Sequence, residues 1–108
     1  MKIDEYENIS FLASLIAEKI KPLKIYLFGS FAERRNNENS DYDFYIIVPD
    51  DDKRNLLDIM TDAQKSMRHK KSRPVDVLVN RRNVFERLKN SPISIENSVA
   101  KNGVVVYG

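Results

Sequence analysis

The 108-residue chain has no cysteine and no tryptophan, one histidine, three glycines and four prolines. Without cysteine there is no thiol nucleophile, no disulfide and no cysteine-held zinc or iron–sulfur centre. The lone histidine, His69, sits among Arg68, Lys70 and Lys71 and reads as a surface residue rather than a catalytic one. Repeats, linkers and low-complexity segments are missing as well. No apolar stretch approaches the roughly 20 residues needed to span a bilayer. The opening MKIDEYENIS has no apolar core of signal-peptide length. The expectation is a soluble, cytoplasmic protein with no membrane partner. A strong charge of one sign is also lacking: 18 basic against 16 acidic residues leave a net +2. Such a balance neither demands nor excludes nucleic acid, and direct nucleic-acid binding is not expected.

What is present is an ordinary globular composition, 42% apolar and 31% charged, at the length of one domain spanning residues 1–108. Ile9, Leu12, Ala13, Ile16, Ala17 and Ile20 recur at helical spacing and predict an amphipathic helix over 5–20, ended by Pro22. Residues 25–28 read as a short strand broken by Gly29-Ser30, with a short helix at 31–35 and a polar loop at 36–39. DFYIIV at 43–48 is apolar almost throughout, as a strand buried on both faces would be. Pro49 and Asp50, Asp51 and Asp52 predict the start of a helix running to about residue 70, with Leu56, Leu57, Met60, Ala63 and Met67 facing the core. Pro74 opens a strand at 75–79, and a helix is expected over 82–89. Ser91-Pro92 reads as the N-cap and first position of another helix, closed near Asn102 by Gly103. VVVY at 104–107 is either a last short strand or a docked tail. The alternation of helices and strands gives an α/β domain with one small sheet.

The chemistry concentrates in GSFAERRNNENSDYD, residues 29–43. Side chains two apart on a strand share a face, so Asp41 and Asp43 point the same way if the strand begins at or before residue 41. Two ionised carboxylates so close repel unless one holds a proton or a cation sits between them. Gly29 allows close approach of backbone to an anion, and Ser30 adds a hydroxyl donor. Phosphate donors beside paired aspartates describe a site for a metal-bound nucleotide, since Mg²⁺ prefers few carboxylates, water and phosphate oxygens. Asp76, at the start of an apolar strand, is the candidate third carboxylate of a two-metal arrangement. It could also take the proton of an attacking hydroxyl.

Gly29-Ser30, ten intervening residues, Asp41-Tyr42-Asp43 and a later Asp76 in PVDVLV form a pattern that resembles the nucleotidyltransferase superfamily related to DNA polymerase β. The resemblance extends to the apolar strand into LFGS, to Ser40 before the first aspartate and to the closing ENSVAKNGVVVYG. At this length the chain is similar to the stand-alone minimal nucleotidyltransferases (MNT). The resemblance implies the polymerase β-like fold, a small mixed sheet flanked by helices. It implies Asp41, Asp43 and Asp76 as catalytic and metal residues, Gly29 and Ser30 as nucleotide-binding residues, Mg²⁺ as cofactor and ATP as substrate. It further implies a partner, a HEPN-type ribonuclease toxin, neutralised by transfer of AMP to a toxin tyrosine as in type VII-like toxin–antitoxin pairs. One departure stands out. Where the family commonly has Ala-Arg-Gly, this chain has Ala32-Glu33-Arg34, which puts phosphate contacts by Arg34 or Arg35 in question.

Other features carry plainer expectations. Asp50, Asp51 and Asp52 read as a solvated helix start, and the basic run Lys65–Arg73 as a solvated helix end. Tyr42 and Tyr45 read as packing residues, with Tyr42 near enough to the site to contact a base. Two rival functions remain: an antitoxin that acts by binding alone with a vestigial nucleotide site, and a transferase for a small molecule or an RNA end. The second usually needs an acceptor-holding domain for which 108 residues leave no room.

Overall fold

The computed structural model describes residues 3–108, Ile3 by its backbone alone. The elements are α1 (Ile3–Ile20), β1 (Lys24–Phe28), α2 (Gly29–Ala32), β2 (Tyr42–Val48), α3 (Leu56–Ser66), β3 (Val75–Arg81), α4 (Arg82–Leu88), α5 (Ile95–Asn102) and β4 (Val104–Tyr107). They form one four-stranded mixed sheet in the order β3-β2-β1-β4. β1 pairs antiparallel with β2 and with β4, so the closing VVVY is a strand. β2 and β3 are parallel. A parallel pair needs a crossover, and α3 supplies it.

Alternation along the strands divides the side chains between two unequal cores. Ile25, Leu27, Phe44, Ile46, Val77 and Val79 face α1 and α3 in the larger one. All six α1 positions expected at helical spacing are buried there. On the other face, Tyr45, Ile47, Phe85 and Val99 form a smaller cluster with Tyr26, Phe28 and Leu78 against it. β2, between β1 and β3, is buried on both faces from Phe44 to Val48, as its sequence predicts.

Several expected boundaries move: the short helix expected at 31–35 is α2 at Gly29–Ala32, and those of α3 and α5 shift as well. Asp50, Asp51 and Asp52 do not start a helix. α3 begins at Leu56, where the Asn55 side chain accepts the Leu57 N–H at 2.8 Å. Asp52 is taken instead by Arg54, at 2.6 Å between Nη2 and Oδ2, and Arg54 also donates to the Ile20 carbonyl at the end of α1. Arg81 then bonds the carbonyls of Asp52 and Arg54. This clasp ties the β2–α3 turn to α1 and β3. With the helix shifted, Ile59, Ala63 and Met67 lie on the buried face, Leu56 and Met60 are partly buried, and Leu57 is 67% exposed. α3 ends at Ser66 rather than near residue 70.

The cap of α5 is Ser94, which accepts the Asn97 N–H at 3.0 Å, and not Ser91. Ser91 instead offers its carbonyl to the Ser94 N–H at 3.0 Å within the preceding turn. Gly103 does end α5, but in an extended conformation with φ −72°. Its glycine is required by space, because a Cβ there would lie 2.4 Å from the Val99 carbonyl oxygen.

Candidate active site

α4 and α5 cover only part of their face of the sheet, and the candidate residues stand where that cover ends. β1 runs into Gly29, which takes a left-handed φ of +74° and turns the chain into α2. A Cβ on Gly29 would meet Asp43 Oδ2 at 2.3 Å. The turn therefore needs glycine twice over, for its dihedral and for the carboxylate pressed against it. Ser30 follows, partly buried, in the same turn. Phe28 and Asp43 are direct cross-strand partners, and Asp43 and Asp76 are partners in the parallel register of β2 and β3.

The aspartates are brought together unequally. Asp43 is half-buried and Asp76 exposed. Burial raises the Asp43 carboxyl most, followed by repulsion from Asp76 and then Asp41, and a hydrogen bond with Asp76 adds to it; together they push it from 3.8 up to about 6. Asp41 lies one residue before β2 rather than within it, close enough to act on Asp43 through its charge. Among the described residues, no group of three or more His, Asp or Glu side chains is drawn together closely enough to hold a metal ion. The in-register pair is nonetheless a donor set that suits Mg²⁺. That ion uses one or two carboxylates and completes its octahedron with water and phosphate oxygens, so a closed cage is not required. A carboxyl raised by burial and by neighbouring like charge is relieved by a cation beside it.

An open groove of about 470 Å³ adjoins the pair, lined by Phe28, Met60, Gln64, Val77, Leu78 and Ile95 besides Asp43 and Asp76. Its size falls within the range of small-molecule sites, about 300–1,000 Å³. A second cavity, between Lys24, Tyr26, Arg82 and Phe85 at the other end of the sheet, measures about 110 Å³ and is too small for a nucleotide.

The approach to Asp41 is held by a residue that sequence reasoning placed in a solvated basic run. Arg73 donates to the carbonyls of Asn37, Glu38 and Ser40 and to the Glu5 carboxylate, and its guanidinium lies 5.1 Å from the Phe31 ring centre. The Tyr42 hydroxyl donates to the same Glu5. Tyr42 is fully buried, with its ring 4.9 Å from that of Phe31. It is a packing residue, as expected, and is too enclosed to meet a base. Arg68, His69, Lys70 and Lys71 are exposed, as read. Nothing local in the sequence separates Arg73 from these neighbours; its acceptors lie more than 30 residues away in the chain.

Glu96 was also missed. It is 7% exposed and accepts the Tyr45 hydroxyl at 2.6 Å. Burial, and then Glu96, pushes the Tyr45 hydroxyl far above its usual range. Arg34 takes a left-handed φ of 59°, at the place where the resembling family commonly has glycine. Arg35 is drawn back toward Glu33 at 3.4 Å.

Comparison with known proteins bears on the fold and the family. No helix among the described residues is long and apolar enough to cross a membrane. A search of curated proteins finds no match. Among solved structures, a protein of Sulfolobus solfataricus provisionally described as a nucleotidyltransferase superposes with a TM-score of 0.64 at 20% identity, covering 95% of this chain and 79% of that one. A toxin–antitoxin structure with AMP-PNP superposes with a TM-score of 0.59, also at 20% identity, covering 94% of this chain and 73% of that one. At such identity these likenesses speak for the fold alone. The family profile described as polymerase beta, nucleotidyltransferase matches residues 11–108, and the chain belongs to that family.

Proposed function

We propose that the chain is a Mg²⁺-dependent nucleotidyltransferase that serves as the antitoxin of a type VII-like HEPN/MNT pair and transfers AMP from ATP to a tyrosine hydroxyl of its toxin. The observation that carries this reading is the pairing of Asp43 with Asp76 in register, beside the Gly29-Ser30 turn and an open groove. In this reading the in-register Asp43 and Asp76 would hold Mg²⁺, Asp41 would join them once the ion draws the three carboxylates together, and Ser30 and the Gly29 backbone would face the phosphates. Bound there, the ion would supply charge neutralisation of the triphosphate and a lowered pKa of the attacking hydroxyl. Asp76, the exposed member, receives the hydroxyl proton. The hydroxyl oxygen bonds to the α-phosphorus, the bond from that phosphorus to the bridging oxygen of the β-phosphate breaks, and pyrophosphate leaves. The resemblance to a toxin–antitoxin structure with AMP-PNP supports the choice of partner and nucleotide.

The test is transfer of label from α-labelled ATP to the protein encoded beside this chain, with and without Mg²⁺. Label is expected on a tyrosine and only with the metal present. Labelling that survives replacement of both Asp41 and Asp43 by asparagine would remove these residues from the mechanism. A second reading, neutralisation by binding alone, draws on Arg34 and the Glu33–Arg35 pair in the turn that follows Gly29-Ser30. It is favoured if an Asp43→Asn chain still neutralises its partner fully.

A further inference from the structure

β3 is an outer strand of the sheet, and its free side opens beside the candidate catalytic carboxylates. Successive residues of a strand direct their N–H and C=O groups alternately to the two sides. The Tyr42 N–H donates to the Pro74 carbonyl, so Pro74 and, by alternation, Asp76, Leu78 and Asn80 bond toward β2. Val75, Val77 and Val79 therefore direct their backbone groups outward. The Gln64 side chain takes the Val75 carbonyl at 2.7 Å. Among the described residues, no hydrogen bond reaches the outward groups of Val77 or Val79. Three consecutive residues, Asp76, Val77 and Leu78, line the groove. The groove crosses the sheet face from Phe28 and Asp43 to Asp76 and Leu78, and it reaches the outer edge of β3 at Val77, whose side chain belongs to the opposite core, beside Met60 and Gln64. Buried backbone groups without partners are costly, and a bare edge pairs readily with another chain.

We infer that the acceptor arrives as an extended polypeptide segment that adds to the outer edge of β3, bonding Val77 and Val79 and setting a hydroxyl-bearing side chain beside Asp76. Three features select this occupant. The unpaired groups call for a peptide backbone, Met60 and Leu78 offer apolar surface to flanking side chains, and the groove continues from the edge to Asp76. Edge addition takes affinity from the main chain and specificity from alternate side chains. The inference rests on the transferase reading for the identity of the segment as an acceptor; the edge itself does not.

The test uses the full chain with Mg²⁺, a non-hydrolysable ATP analogue and a pool of nine-residue peptides, tyrosine at the centre and Val, Thr, Ser or Lys elsewhere. At saturation, amide exchange at Val77 and Val79 is expected to slow at least ~10-fold, while Leu78 and Asn80, already in the β2–β3 ladder, change less than ~2-fold. Peptides N-methylated at the amides that face the edge should lose binding, and peptides methylated at the alternate amides should keep it. Absence of binding by any peptide in the pool, or binding without slowed exchange at Val77 and Val79, overturns the proposal. Val77→Pro removes an outward N–H without touching the ladder and should weaken binding at least ~10-fold at unchanged far-UV circular dichroism. Should that variant fail to fold, the exchange measurement on the unaltered chain decides. With ATP in place of the analogue, slowed exchange without AMP transfer to the peptide leaves the edge standing and removes the transferase; transfer without slowed exchange does the reverse.

Discussion

The chain carries two acidic clusters, and they behave oppositely. Asp50, Asp51 and Asp52 are adjacent in sequence, and two of them are met by arginines: Asp52 by Arg54 at 2.6 Å and Asp50 by Arg82 at 2.9 Å. The hydrogen bonds from Arg54 hold the Asp52 carboxyl down at about 2. Asp43 and Asp76 are distant in sequence and set side by side by strand pairing, with Asp41 just before β2. Burial and the two other aspartates push Asp43 up to about 6. A carboxylate satisfied by the protein's own cation does structural work. A carboxylate left among others of its kind is destabilised in the absence of an external cation, and that is how functional sites are commonly built.

The sharpest way to break this contrast is to neutralise one member of each cluster. Asp43→Asn should lower nucleotidyl transfer at least ~100-fold, the loss of a few kcal/mol of charge stabilisation. The same change should raise stability at pH 7. The folded-state pKa is raised from 3.8 to about 6, so ionisation of Asp43 costs folding energy at neutral pH. The group is only partly buried, and solvent screening reduces that cost to about 1 kcal/mol. Chemical denaturation beside a transfer assay reads both effects.

Asp52→Asn should do the reverse, lowering stability by about 2 kcal/mol through lost charge-assisted hydrogen bonds and leaving transfer within ~2-fold. A comparable loss of transfer in both variants would erase the distinction between the clusters.

The pH dependence separates them further. A raised acid binds more protons in the folded state, so the Asp43 contribution is fully favourable below 3.8 and is lost as pH rises toward about 6. A depressed acid runs the other way: the Asp52 contribution is present above 3.8 and is lost as pH falls toward about 2. The stability advantage of Asp43→Asn over the unaltered chain should therefore vanish between pH 6 and 4 in a denaturant series, and the deficit of Asp52→Asn should persist across that range.

The smallest effect concerns the turn next to the reactive cluster. Arg34 sits at φ 59°, where an L-residue is strained by about 1–2 kcal/mol. Arg34→Gly relieves that strain at some entropic cost, and a net gain of about 0.5 kcal/mol is expected in thermal denaturation. A loss of transfer in this variant would give Arg34 a role at the phosphates.

Much of this was legible because it is local. Helical spacing in α1, continuous apolarity in β2 and the breaker at Gly29-Ser30 each depend on neighbours within a few residues, and all three stand where expected. The spacing of Gly29-Ser30, Asp41, Asp43 and Asp76 was likewise enough to place the chain in its family. Choices between competing local signals and long-range partners were not legible. Aspartates before a helical pattern look like a helix start until Arg54 takes the Asp52 carboxylate and Arg81 its carbonyl, and Ser91-Pro92 looks like a cap until Ser94 takes that position. Arg73 was indistinguishable from its basic neighbours because its acceptors, Glu5 and the carbonyls of the 37–40 loop, are brought to it only by folding. Residue type and spacing by themselves determined which carboxylates are the candidates for a metal and for catalysis. Only the tertiary structure decided that Asp43 would face Asp76 across two parallel strands, that Gly29 would be pressed against it, and that the outer edge of β3 would be left open. Pairing register and burial are properties of the packed sheet, and no single stretch of the chain encodes them.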